Sequence, residues 1–129
     1  MVDIHDNIIE SYLVDLENRK IIFFTVFKTF QEFTTIEFSN VMGHLFSNQI
    51  KDSMIFDIEN YSVEEYLKID NELFDDIELY DFPFKYNNEN ELIDILNKNN
   101  QRFYIINPSC GLYGWILAEE MKIKMNEKK

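Results

Sequence analysis

The stretch Met54–Asp70, MIFDIENYSVEEYLKID, changes its period halfway. Met54, Phe56 and Ile58 alternate with Ile55, Asp57 and Glu59, the two-residue repeat of a strand whose faces meet different surroundings. From Ser62 onward the repeat is helical. Ser62-Val63-Glu64-Glu65 has the form of a capping box, in which the serine hydroxyl accepts from a free amide of the first turn and the glutamate reaches back. Val63, Tyr66, Leu67, Leu73, Phe74 and Ile77 follow at helical spacing with acids opposite them, predicting a helix over about Val63–Asp76.

Working outward, Leu79–Tyr86 (LYDFPFKY) reads as an aromatic connection interrupted by Pro83. A second helix is predicted over Glu89–Lys98. It starts at Asn88 with Glu91 three residues on, buries Leu92, Ile93 and Leu96, and stops at Asn99 and Asn100. Upstream, Asn7–Leu16 and Ile21–Lys28 flank the polar turn Glu17–Lys20 as a hairpin, Phe33–Val41 alternates as a third strand, and Gly43–Phe46 forms a short one. Downstream come Arg102–Asn107 and a final strand, Gly114–Met125. The final strand places Trp115, Leu117, Glu119, Met121, Ile123 and Met125 on one face, so Glu119 is the misfit. Between these strands, Asn107-Pro108 reads as the end of the first, with Gly111 and Gly114 bending the backbone into the second.

The resulting order, β-β-β-(β)-β-α-α-β-β, predicts an α+β fold: an antiparallel sheet of about six to seven strands with the two helices on one face. The 129 residues, 46% hydrophobic and 16% aromatic, suffice for one core, so a single globular domain over residues 1–125 with a frayed tail at 126–129 is expected. Only three glycines and two prolines occur, and asparagines fill many turn positions. The start MVDIHDNIIE has no basic residue and no apolar core of a signal peptide, no run is long enough to span a bilayer, and one cysteine makes no internal disulfide. These features predict a cytoplasmic protein with no membrane contact.

The formal net charge of −12 is concentrated. Between Asp52 and Asp94 lie fourteen of the 24 acids and only two of the 12 basic residues, Lys68 and Lys85, so this third of the chain carries the whole imbalance. Such a surface repels phosphate backbones, which argues against nucleic acid, and attracts a basic protein. A solvated face that only maintains solubility would show the same composition.

Candidate chemistry is sparse. Cys110 stands between Ser109 and Gly111, but a nucleophilic thiol needs a base, and the only histidines are His5 and His44. A turn explains the same residues. His5, Asp6 and His44 could ligate a metal or exchange a proton, although neighbours in a strand point to opposite faces and the spacing matches no zinc or iron pattern. Asp57 and Glu59 share a strand face, as any strand with one solvated side allows. The acids from Asp70 to Glu78 lack the central glycine of a calcium loop, and phosphate loops and nucleophile elbows are absent. Tyr80, Phe82, Phe84 and Tyr86, beside the acidic helix, suit either an aromatic anchor for a partner or packing beneath the sheet.

Three stretches carry a resemblance. IHDN at Ile4–Asn7, IFDIE at Ile55–Glu59 and SCGLYGWILAEE at Ser109–Glu120 are similar to segments of small bacterial proteins, some of which resemble immunity proteins of polymorphic toxin systems. That resemblance implies a compact α+β domain that acts by binding, and it transfers no site residue.

The sequence therefore leads to a non-enzymatic, immunity-like binding domain with no cofactor and no metal. It would meet a basic protein partner through Glu64, Asp70, Asp75, Asp76, Glu78, Tyr80, Asp81 and Phe82. The alternative is a small hydrolase or metal-dependent enzyme using His5, Asp6 and His44, or Cys110. A homodimer that pairs aromatic surfaces stays open as a third reading.

Overall fold

Where the two-residue repeat is strongest, the backbone is extended. The computed structural model describes residues 4–70 and 84–126, and within them lie strands β1 (Ile8–Asp15), β2 (Lys20–Phe27), β3 (Glu32–Ser39), β4 (Gly43–Ser47) and β5 (Met54–Ser62). Helices α1 (Val63–Ile69) and α2 (Glu89–Lys98) follow, then β6 (Arg102–Cys110), β7 (Tyr113–Ala118) and β8 (Glu120–Asn126). The fold is α+β with an antiparallel sheet. Among the described residues it has eight strands rather than six or seven, in the order β4-β7-β6-β5-β1-β2-β3-β8.

The extra strand comes from a break at Glu119. Trp115 and Leu117 pack toward the helices, while Ile116 and Ala118 enter the other core together with Met121 and Ile123. The face expected to run unbroken from Trp115 to Met125 therefore reverses at Glu119, the one acid that interrupted it. β3 and β4 bend at the same place. Ser39 pairs with Glu120 on one side of the corner and Gly43 with Leu117 on the other, so the register slips by one residue between them. Glu119 N–H donates to Ser39 O at 3.1 Å, and Asn40 Nδ2 donates to Glu119 Oε1 at 2.9 Å.

These bends curl the sheet onto itself. With β3 running on into β4 and β7 into β8, the eight strands form six ribbons, each paired on both sides in the manner of a small barrel. The seam between β1 and β5 is short: Asp6 N–H donates to Ile55 O, Ile55 N–H to Asn7 O, and Ile9 N–H to Ser53 O, at 2.8–2.9 Å. Inside, rings from opposite walls meet, Tyr12 on Phe46 at 5.4 Å, Phe23 on Phe46 at 5.6 Å and Phe38 on Tyr104 at 5.4 Å. Phe23, Ile36, Phe38, Ile55, Ile106 and Ile116 fill the space between them. Buried polar groups pair with one another: Asn7 Nδ2 donates to Thr25 Oγ1 at 3.0 Å, and that hydroxyl donates to Thr34 O at 2.9 Å.

The helices cover part of the outer face. Ser62 Oγ accepts from Glu65 N–H at 3.2 Å and Glu65 Oε1 accepts from Ser62 N–H at 3.1 Å, the reciprocal cap expected from the sequence. Asn88 Oδ1 caps α2 by accepting from Glu91 N–H at 2.9 Å. Val63, Leu67, Leu92 and Leu96 then pack on Phe103, Trp115 and Leu117 in a second core. α1 is shorter than expected: Asp70 leaves the helical conformation at φ −121°, ψ 82°, and its carboxylate accepts from the Tyr66 hydroxyl at 3.4 Å. Residues 71–76 of the expected helix lie outside the described residues.

The turn at Gly111 is tighter than the sequence reading placed it. β6 does not stop at Asn107-Pro108 but continues to Cys110, with its register against β5 slipping on both sides of Ile55. Proline, which has no amide to donate, is accommodated at such an irregular pairing. Gly111, at φ +86°, passes so close to Ser53 that a Cβ would collide with that side chain. Ser53 Oγ accepts from Leu112 N–H at 2.9 Å and donates to Ile50 O at 2.6 Å, tying this turn to the β4–β5 loop.

Candidate functional site

Pairing register decides which side chains share the outer face beside the helices. Leu45, Trp115, Ile105 and Glu59 are successive partners across β4, β7, β6 and β5, and form one row. Ser47 with Tyr113, and Asn107 with Asp57, lie beside it. α1 and α2 cover the Phe103 and Leu117 end of this face. The other end is open, with Leu45 52% and Tyr113 48% exposed. A trough of about 440 Å³ lies there, floored by Leu45, Ile105 and Trp115 and walled by Tyr66, Asp70, Asn107 and Tyr113.

Its acidic margin is organised by hydrogen bonds. Asn107 Nδ2 donates to Asp57 Oδ1 at 2.7 Å and to Glu59 Oε1 at 2.6 Å, and the Tyr61 hydroxyl donates to Glu59 Oε2. The tyrosine bond first, and the asparagine bond after it, hold the Glu59 carboxyl below its ordinary pKa, because both stabilise the ionised form. The same bond raises the Tyr61 hydroxyl, which keeps it a donor. Tyr66 is pushed up to about 12 by burial, with the Asp70 charge adding to it.

Of the residues expected to meet a partner, two are described. Glu64 is exposed on α1 and accepts from Asn97 Nδ2 of α2 at 2.7 Å, and Asp70 ends α1 at the trough. Asp75, Asp76, Glu78, Tyr80, Asp81 and Phe82 lie outside the described residues. Phe84 and Tyr86, expected either beneath the sheet or as a partner's anchor, pack against the core between the helices and the sheet with rings 6.0 Å apart. The sequence reading left Asp57, Glu59, Tyr61 and Asn107 out of the site. Alternation put Asp57 and Glu59 on one face, but their meeting with Asn107 depends on the pairing of β5 with β6, in which Asp57 is the partner of Asn107.

The residues of the enzymatic alternative have separate surroundings. Asp6 turns at φ +69°, which brings its Oδ1 to 3.6 Å from His5 Nε2, a proximity that a regular strand would forbid. His5 Nδ1 lies 3.0 Å from Phe56 O, and its ring meets Phe56 edge-on at 5.0 Å. His44 sits on β4, three strand spacings from β5, or roughly 14 Å. Its ring lies 5.0 Å from Phe46, and burial lowers its pKa. Cys110 is exposed, with Sγ 3.5 Å from Asp52 O. Among the described residues no group of three or more His, Cys, Asp or Glu side chains could hold a metal ion, and no helix is long and apolar enough to cross a membrane.

The chain matches no protein-family model and no curated protein.

Proposed function

We propose that this protein is a non-enzymatic binding domain, immunity-like in its manner of action, that works in the cytoplasm and presents the acidic surface of residues 52–94 to a basic protein partner. One observation carries the proposal: the whole net charge of −12 falls within that segment. A field of one sign speeds encounter with an oppositely charged protein and disfavours nucleic acid. Asp52 meets Lys51 at 3.9 Å, a pair exposed to solvent on both sides. Asp57, Glu59 and Glu64 accept from neutral Asn and Tyr side chains, which leave them negatively charged.

The test is association with basic proteins encoded beside its gene, measured against salt, for the natural chain and for a variant reversed at Asp70, Asp75 and Asp76. Binding that weakens with salt and with charge reversal supports the proposal. Binding indifferent to both refutes it.

A further inference from the structure

The open trough has two unlike ends within one face. At the β4 end, Leu45 and Tyr113 expose apolar surface over Trp115; on the β5 side the lining reaches Asn107, whose amide holds Asp57 and Glu59 side by side just beyond it. No lysine or arginine lines it among the described residues, and Asp70 places a carboxylate at the wall. Asp57 Oδ2 and the remaining lone pairs of Glu59 stay able to accept, since Asn107 and Tyr61 occupy only part of each carboxylate. The Tyr61 ring, packed 5.8 Å from Tyr66, stands beside these acids, and an aromatic ring there is a surface on which a guanidinium can stack.

We infer that this trough receives an extended, arginine-bearing segment of the basic partner, with an apolar side chain seated on Leu45 and Tyr113 and a cation seated at Asp57 and Glu59. This rests on the acidic-surface proposal and deepens it by fixing where and how the partner is held. The dimensions agree. From β4 to β5 is three strand spacings, roughly 14 Å, and side chains on one side of an extended peptide repeat about every 7 Å. A segment crossing the strands therefore sets its apolar residue at Leu45, a cation two positions on near Asn107, and another four positions on at Asp57 and Glu59. Arginine suits the far end better than lysine, because its planar fork pairs with a carboxylate through two parallel bonds while its stem lies on Ile105.

Trp115, the chain's single tryptophan, lies in the floor and reports occupancy through its fluorescence. The probes are three blocked pentapeptides: Leu-Ser-Arg-Ser-Arg, Ser-Ser-Arg-Ser-Arg, and Leu-Ser-Glu-Ser-Glu. The leucine-arginine peptide is expected to shift Trp115 emission and to bind about tenfold tighter than the peptide lacking leucine, with no response to the glutamate peptide. The double variant Asp57→Asn, Glu59→Gln, which keeps the shape of both side chains, should weaken it by about tenfold or more. Leu45→Ser should remove the advantage of leucine; Leu45 and Glu59 are exposed and Asp57 is half-buried, and circular dichroism should show the fold intact in both variants. If the two arginine peptides bind alike, with salt dependence but without a Trp115 response, the trough assignment is overturned while the acidic-surface proposal stands. If neither arginine peptide binds better than the glutamate peptide, both are overturned.

Discussion

Asn107 on β6 donates its side-chain amide to Glu59 on β5 at 2.6 Å, diagonally across the regular stretch of pairing that begins at Asp57 and Asn107. This bond and the one from Tyr61 favour the ionised carboxylate, the Tyr61 bond more strongly. In an NMR titration of the Glu59 carboxyl, Tyr61→Phe should therefore raise its pKa more than Asn107→Ala does, and both should raise it above that of the natural chain. The sign follows from linkage. A carboxyl depressed in the folded state contributes stability above its ordinary pKa, and that contribution is lost as pH falls through the depressed folded value. Equal pKa values in all three proteins would contradict the bonding described.

The glycines and the tryptophan of the β6–β7 region should be intolerant, and its cysteine should not. A Cβ on Gly114 would collide with the Leu45 carbonyl oxygen and the Phe46 ring, which leaves no room for valine. Gly114→Val should destabilise by about 2–5 kcal/mol through overpacking and displacement of β4. Trp115, 6% exposed and 5.5 Å from Phe103, leaves a cavity when cut to alanine, at a cost of about 3–5 kcal/mol. Exposed Cys110→Ser should change stability by less than about 0.5 kcal/mol. Urea denaturation of the three variants checks the ranking.

The corner at Asn40 is a second sensitive point. Asn40 sits at φ +50°, where asparagine and glycine are at ease and branched residues are not. Asn40→Gly should remain within about 1 kcal/mol of the natural chain, since it loses one exposed hydrogen bond and gains conformational freedom there. Asn40→Val should cost more, about 1–3 kcal/mol, because it keeps neither the bond to Glu119 nor a relaxed backbone. Thermal melts of the pair would show the difference.

The cap at Ser62 joins the sheet to α1 and so aims Tyr66 and Asp70 at the trough. Ser62→Ala removes the acceptor for Glu65 N–H and should cost about 1 kcal/mol. Hydrogen exchange should quicken in α1 first, because the lost bond belongs to its first turn. Uniform quickening through the barrel would mean that α1 does not open independently.

The parts of this fold that follow local rules were legible in the sequence. The Ser62 cap, the span Glu89–Lys98, the β1–β2 hairpin and the short β4 all follow from period and capping chemistry within a few residues. What escaped depends on distant partners. Glu119 looked like one misfit in a regular strand, and only the matching bend of β3 into β4 makes it a corner where the face reverses. Asn107-Pro108 carries the chemistry of a turn, yet β5 pairs beyond it because slipped register accommodates proline. The site was half legible. Its sign could be read from Asp52–Asp94, whereas Leu45, Tyr113 and Asn107 join Asp57 and Glu59 only through the order β4-β7-β6-β5.

The most direct measurement is the dissociation constant for a basic protein encoded beside this one, determined at rising salt with the natural chain and with Asp70, Asp75 and Asp76 reversed to lysine. If the acidic surface holds the partner, log Kd rises steadily with log salt, and the reversed protein binds at least about tenfold more weakly at low salt, with a shallower slope. A Kd that is unchanged by salt and by the three reversals would contradict it.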